Sequence, residues 1–379
     1  MLLTLVQAAR RQGGSTTSPE NIGERAAPGL RAGRWTPPAG DGSSEAVGWL
    51  KVILDTGWFF AQYFNIGGTC LCLYTNDCII SQEANRWLKY FVSPKGKEGI
   101  RVYLLSMDDG RHLPLEIPKG ANAIYSGHTL EYFLHKQYWL VDLQHKGRLA
   151  IDDEHDIVVG FIYRSYFLKN PWVLETLLYP VFELLKKRGL YLVHAGAVSL
   201  GNRGLLLPGR ARSGKTTFVL HLVREGFEFL SDDRCFLRKS GSDVEMLSFP
   251  EQVRVYLPNV FAFPEFQFLQ EEHDGGQNGK VGFEIERVYP DRSIDRCDLA
   301  AVVFPRWAPT KKSMLETIPP PQALVELLPL TLETFFPETT RSHFRLIGDL
   351  VQTVPCFSLY MGSDSQMWCE IVKGLLQEL

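Results

Sequence analysis

Residues Gly209-Arg210-Ala211-Arg212-Ser213-Gly214-Lys215-Thr216-Thr217 follow the pattern G-x-x-x-x-G-K-[ST] without a gap, and this run constrains the fold more than any other stretch. Its glycines let backbone N–H groups curl around one point, and a helix that begins at the lysine adds its positive end there. Such a loop needs a buried strand before it and an apolar helix face after it. Gly204 to Leu207 supply the strand, and Phe218, Val219, Leu222 and Val223 recur at helical spacing. The run therefore predicts an α/β domain with a phosphate-binding P-loop. Gly209, Arg212, Ser213, Gly214, Lys215, Thr216 and Thr217 would surround the phosphates of ATP. Lys215 would reach the β/γ-phosphates, and the Thr216 hydroxyl would hold Mg2+.

A chain of 379 residues has room for two domains. Residues 1–45 are rich in Gly, Pro, Ser, Thr and Arg, lack periodicity, and read as a disordered extension. Order is expected to begin near Val47 to Trp58. Residues 46–170 read as a β-rich α+β domain that is a candidate for binding the acceptor. Thr69 to Tyr74, Ile100 to Ser106, Gln137 to Leu143 and Asp156 to Tyr163 are strand-like there, with turns at Asp108-Asp109-Gly110 and His145-Lys146-Gly147. Pro171 opens a connecting helix over 171–189, interrupted by Pro180 and closed by Lys186-Lys187-Arg188-Gly189. Residues 190–379 form the P-loop domain. It starts with strands over Tyr191 to Leu200 and Gly204 to Leu207, continues with a helix from Lys215 to about Glu225, and adds a strand over Phe227 to Leu230. Apolar runs at Ala300 to Phe304 and Phe357 to Met361 read as further core strands, and Gln366 to Leu379 as a closing amphipathic helix.

Composition excludes several partners. The formal net charge of −3 and the absence of a basic run longer than Lys186-Lys187-Arg188 argue against nucleic acid. No stretch of apolar residues is long enough to span a membrane, and the arginines near the start follow the apolar run instead of preceding it, which is the wrong order for a secretory signal. The seven cysteines are an odd number scattered through apolar segments, which predicts free thiols in a reducing cytoplasm. Cys70, Cys72 and Cys78 lack a fourth ligand for zinc and read as strand cysteines. The Asp152-Asp153-Glu154-His155-Asp156 cluster reads as a solvated turn.

Two further features bear chemistry. Ser231-Asp232-Asp233 follows directly on the strand Phe227 to Leu230, one helix and one strand after Lys215. Phosphate transfer to a hydroxyl needs a carboxylate near Mg2+ and a base for the hydroxyl proton, and two carboxylates at a strand end can supply both. His194 lies in the apolar run Tyr191-Leu192-Val193-His194-Ala195-Gly196-Ala197-Val198, where a lone histidine is ordinarily a core residue. Arg254, Lys280 and Arg306 are weaker candidates for contacts to phosphate or to the acceptor. Lys280 follows the glycine-rich Gly275-Gly276-Gln277-Asn278-Gly279 stretch.

Taken in order, the strand with His-Ala-x-Ala-Val, the hairpin, the P-loop, the single helix and the Asp-Asp pair resemble the HPr kinase/phosphorylase superfamily over Leu190 to Leu237. The resemblance implies an α/β fold like that of ATP-dependent phosphoenolpyruvate carboxykinase. It implies Asp232 as general base, Asp233 as a magnesium carboxylate and His194 as their neighbour. Two departures separate the chain from true HPr kinases: Thr216-Thr217 stands where they carry Ser-Glu, and their signature Arg-Gly-Leu-Gly-Ile-Ile-Asn is missing. The chain looks more like divergent relatives that phosphorylate a serine of a precursor peptide, as in lasso-peptide maturation. The expected acceptor is thus a peptide or protein serine, with a small-molecule hydroxyl as the alternative. A non-catalytic ATP switch is the third reading, although it would have no use for a base. A homo-oligomer is compatible with all three.

Overall fold

The computed structural model describes residues 31–33, 59–96, 99–210, 213–249, 251–256, 263–269, 279–330 and 336–379. The chain divides into two compact units, Met1–Leu184 and Leu185–Leu379. The extension expected over 1–45 lies outside the described residues except for Arg31–Gly33, and the expected start of order at Val47 to Trp58 lies wholly outside them.

The first unit is built on one nine-stranded sheet. Its strands are β1 (Arg31–Gly33), β2 (Phe59–Ile66), β3 (Thr69–Thr75), β4 (Ile100–Met107), β5 (Asn122–Ser126), β6 (Glu131–His135), β7 (Tyr138–Leu143), β8 (Gly147–Asp152) and β9 (Ile157–Tyr163). The spatial order is β1-β2-β3-β4-β9-β8-β7-β6-β5, with β3, β4 and β9 mutually parallel and the other pairs antiparallel. Helix α1 (Cys78–Trp87) packs on β2 and β3, and a short α2 (Arg164–Lys169) follows β9. The sequence reading treats the α1 region as strand and turn, yet its start is written in Asp77. That carboxylate accepts from the Ile79 N–H at 2.8 Å, and Arg164 Nε donates to its other oxygen at 2.7 Å. Helix α3 (Val173–Lys187) keeps Pro180 inside it and ends at Gly189, whose φ of 76° only glycine adopts without strain.

The second unit holds the P-loop sequence. It contains β10 (Tyr191–Val193), β11 (Ala195–Leu200), β12 (Arg203–Pro208), α4 (Lys215–Arg224), β13 (Glu228–Ser231), β14 (Cys235–Ser240), β15 (Asp243–Ser248), β16 (Val253–Tyr256), β17 (Lys280–Phe283), β18 (Arg296–Trp307), β19 (Met314–Thr317), α5 (Pro320–Leu327), α6 (Pro337–Thr353), β20 (Cys356–Met361) and α7 (Ser365–Glu378). The main sheet runs β10-β14-β15-β18-β12-β11-β13, and β20 joins it beside the far half of β18. Strands β12, β18 and β20 are parallel, and β13 points the same way because both it and β12 are antiparallel to β11. The chain is thus a mixed α/β protein with two large sheets.

Alternation of side chains assigns the two faces of the second sheet. Leu205, Leu207, Ala301, Val303, Leu359 and Met361 face a core shared with α4, α7 and the β16–β17 hairpin. Leu206, Val302, Phe304 and Cys356 face the opposite core, which α5 and α6 complete. Helix α4 lies close on the sheet at Gly196: a Cβ there would come within 2.7 Å of Val219 Cγ2. Gly196→Ala should therefore push α4 outward and destabilise the second unit by about 1–3 kcal/mol. Urea unfolding followed by circular dichroism checks this, with Gly374→Ala, which meets no atom within 4 Å, as control.

Candidate functional site

The topology gathers the chemistry-bearing residues at one edge of the second sheet. Open α/β sheets bind ligands beyond the carboxyl ends of their parallel strands. Strand β12 ends there at Pro208 and feeds the Gly209–Gly214 loop, and β13 ends there at Ser231 and feeds Asp232 and Asp233. Strand β11 runs the other way and so begins at this edge. Ala195 pairs with Pro208, which leaves His194 one step further out, level with Gly209.

The sequence reads as one strand from Tyr191 to Leu200, but the chain breaks it at His194. Strand β10 pairs with β14, whereas β11 pairs with β12 and β13. At the junction the His194 N–H leaves the ladder and donates to the Leu330 carbonyl at 2.8 Å. The break turns the imidazole toward the loop, so His194 is no ordinary core histidine.

Glycine is required at two points of the loop. Gly214 caps α4 with φ of 92°, a left-handed conformation that side chains with a Cβ disfavour. A Cβ at Gly209 would lie 2.5 Å from Ser213 Oγ. The Ser213 N–H donates to the Arg210 carbonyl at 3.1 Å, and Ser213 Oγ is buried without a hydrogen-bond partner among the described residues. Arg212 lies outside the described residues.

Lys215 is the first residue of α4 and is buried, with 6% of its surface exposed. Its ammonium donates to the Gly209 carbonyl, to the Arg210 carbonyl at 3.3 Å, and lies 3.2 Å from His194 Nε2. An ammonium has no acceptor, so Nε2 is the unprotonated nitrogen of a neutral imidazole and Nδ1 carries the hydrogen. Nδ1 faces Asp233 Oδ1 at 3.4 Å. Burial is the main force lowering the His194 pKa, and the Lys215 charge adds to it while Asp233 opposes it. Burial likewise lowers the Lys215 pKa, against the pull of Asp233 and Asp232.

The two aspartates occupy different environments. Asp232 is buried, and the Thr216 hydroxyl donates to its Oδ2 at 3.0 Å. Burial first, and then the neighbouring Asp233 charge, push its pKa up to about 7, with a smaller push from Glu251. The Asp233 side chain is half exposed. The turn that separates them is held by Ser231 Oγ, which accepts from the Asp233 N–H at 3.2 Å and the Arg234 N–H at 3.0 Å. Arg234 is in turn paired with Glu251 and stacked over Phe249. Nothing in the sequence marks Glu251 as a neighbour of Asp232, since it reaches the site through the path of β14 and β15.

The three weaker candidates fall in different places. Lys280 opens β17 opposite Tyr256, with its Nζ 4.9 Å from the Tyr256 ring, and its charge helps lower the Lys215 pKa. Arg254 lies on the same outward face of the β16–β17 hairpin, since Val253, Val255, Val281 and Phe283 take the buried face. Arg306 falls on the α5 side of the sheet, where both oxygens of Glu326 accept from its Nη2 at 2.6 Å and Ser358 Oγ accepts from Nε at 3.1 Å. It is committed to that ion pair on the face opposite α4. Thr217 is the third residue of α4 and half-buried.

Among the described residues no three His, Cys, Asp or Glu side chains group to hold a metal by themselves, which covers both the Cys70–Cys72 pair and the Asp152–Asp156 turn. All seven cysteines are free. Among the described residues no helix is long and apolar enough to cross a membrane.

No protein-family model and no curated protein sequence matches the chain. Among solved structures, the Hpr(Ser) kinase/phosphatase from Coxiella burnetii aligns with 49% of this chain and 94% of its own length, at 10% identity and a TM-score of 0.28. The likeness is distant.

The Asp232 environment has a consequence for stability. Its folded pKa of about 7 exceeds the unfolded value of about 3.9, so the folded state keeps a proton that the unfolded chain releases. The resulting stabilisation is complete below about pH 4 and is lost as pH rises through about 7. Asp232→Asn removes the ionisation and keeps an acceptor for Thr216. The ligand-free variant should unfold later than wild type at pH 8, by about 1–3 kcal/mol, with a clearly smaller gap at pH 5. Urea denaturation at the two pH values checks it.

Proposed function

We propose that the chain is an ATP- and magnesium-dependent phosphotransferase that moves the γ-phosphate to a hydroxyl, foremost a serine of a peptide or protein. The observation that carries this reading is the convergence of Lys215, Thr216, Asp232, Asp233 and His194 at one sheet edge, at the N-terminus of α4. A bare nucleotide switch needs the loop and the lysine. It does not need a buried carboxylate poised to titrate near neutral pH.

The loop residues fit a triphosphate. The first N–H groups of α4 have no intrahelical partners, Gly214 offers no side-chain cap, and Ser213 Oγ is a buried hydroxyl without a partner among the described residues. Lys215 would leave the loop carbonyls for the β/γ-phosphate oxygens. Thr216 and Asp233 would be the oxygen donors for Mg2+, which favours one or two carboxylates plus phosphate oxygens over an all-protein cage. Bound there, Mg2+ would neutralise charge on the phosphates.

In the transfer, the acceptor oxygen forms a bond to the γ-phosphorus as the bond from that phosphorus to the β–γ bridging oxygen breaks. Asp232 takes the hydroxyl proton, and ADP leaves with the electron pair. A carboxylate with a pKa near 7 is matched to that role, because it is basic enough to draw the proton and largely ionised slightly above neutrality. Neutral His194 bridges Lys215 and Asp233 and holds both in place. Lys280, whose charge already acts on Lys215, would add positive charge there. A small-molecule hydroxyl would be phosphorylated by the same residues, with only the acceptor contacts differing.

The test is phosphotransfer from Mg-ATP to serine-containing precursor peptides, HPr and free hydroxy metabolites, read by mass spectrometry. Lys215→Ala should lower turnover by about a hundredfold or more. Asp232→Asn should abolish transfer and keep nucleotide binding, and normal turnover by that variant would sink the base assignment. The rate should rise with pH from 6 to 8 as Asp232 ionises. Asp233→Asn removes the neighbouring charge that raises the Asp232 pKa, so its residual activity should rise at lower pH.

A further inference from the structure

The geometry points to Trp307 as the platform on which the nucleobase stacks when the phosphates lie in the Gly209–Gly214 loop. This rests on the nucleotide-binding part of the proposed function and adds the residue that would distinguish a nucleotide from a bare polyphosphate.

Trp307 is the last residue of β18, at the same carboxyl edge of the sheet as the loop. It follows Ala301 and Val303 in the alternation and so takes the α4 side, whereas its neighbour Arg306 turns to the other face. Its indole lies directly against the loop: a Cβ on Gly214 would be 2.8 Å from Trp307 Nε1 and 3.1 Å from Cε2. This contact is a second reason for glycine at that position.

The residue is nevertheless 55% exposed. A tryptophan left this open forgoes much of the burial its area would provide, and a flat apolar face beside a polar binding loop is the arrangement small-molecule sites use. It is also braced. Trp368, only 3% exposed, meets it edge-on with ring centroids 5.4 Å apart at 78°, and Trp368 Nε1 donates to the Gly362 carbonyl at 3.0 Å. His221 of α4 packs against Trp368 with ring centroids 5.2 Å apart. The chain from α4 through Trp368 to Trp307 therefore holds the half-exposed tryptophan at a fixed position relative to the loop. Every nucleobase has a π-face, so such a platform favours nucleotides over inorganic phosphates without choosing strongly among bases.

The experiment compares Mg-ATP with Mg-tripolyphosphate by calorimetry on the full chain. Wild type, Trp307→Ala, Trp307→Phe and Lys215→Ala are measured. Trp307→Ala should weaken ATP about tenfold or more and leave tripolyphosphate unchanged. Trp307→Phe should retain most of the ATP affinity, and Lys215→Ala should weaken both ligands. Unchanged ATP affinity in Trp307→Ala, or equal losses for ATP and tripolyphosphate, would overturn the platform while leaving the loop as a phosphate site. An effect confined to the KM of the hydroxyl acceptor would overturn it in favour of an acceptor contact. A wild type that binds neither ligand would remove the nucleotide reading as well.

Discussion

A buried ammonium sets the terms for the second unit. Lys215 sits at the root of α4 with almost no exposure, and a charge in that position is tolerated only where oxygens and opposite charge surround it. Each of those partners comes from a different segment. The Gly209 and Arg210 carbonyls come from the loop, the His194 imidazole from the β10–β11 break, and the Asp232 and Asp233 charges from the end of β13. Satisfying one cation thus fixes the loop against two neighbouring strands. The same arrangement holds the imidazole neutral, because its Nε2 has to face an ammonium.

The aspartates show how adjacent residues of one type acquire separate chemistry. Strand β13 continues its alternation through Ser231, so Asp232 turns inward toward Thr216 and Asp233 stays at the surface beside His194. Burial and the charge of Asp233 then act together on Asp232, and the hydrogen bond from Thr216, with a smaller backbone contribution, opposes them. A titratable group tuned to neutrality is costly to the folded state, and its presence at the mouth of a phosphate-type loop argues for a chemical use. The sheet face to which each residue turns decides the rest. Arg306 and Trp307 are consecutive, yet one completes an ion pair with α5 and the other opens beside the loop.

The local elements were legible where pattern and punctuation agree. The apolar runs at Thr69, Ile100 and Phe357 became β3, β4 and β20, and the helix after Lys215 ends just before Gly226, which takes φ of 99°. What escaped the sequence was of two kinds. The helix at Cys78 carries few charges and its start is marked only by the Asp77 cap, so it blends into the β-rich run around it. Relations across the sheet were out of reach for another reason. The partner switch at His194, the approach of Glu251 to Asp232 and the pairing of Arg306 with Glu326 depend on strand order, and strand order is a non-local property. Within the run Tyr191 to Leu200 the first residue of a turn-forming type is Gly196, after the break, so nothing at His194 announces that the run serves two sets of neighbours.

That break at His194 is also where fold and chemistry become hard to separate. A continuous strand would direct the imidazole into one core or the other, as it does Val193 and Ala195. By donating its N–H to Leu330, the residue leaves the ladder without leaving that N–H unsatisfied. The irregularity therefore needs no strain to persist, and it frees one side chain at a point level with Gly209. Proteins tend to depart from regular structure where function requires it, and here the departure falls on the residue that connects the loop lysine to the carboxylates. At the x of the sequence pattern His-Ala-x-Ala-Val stands Gly196, whose missing side chain lets α4 approach β11 closely, while Ala195 and Ala197 face the opposite core.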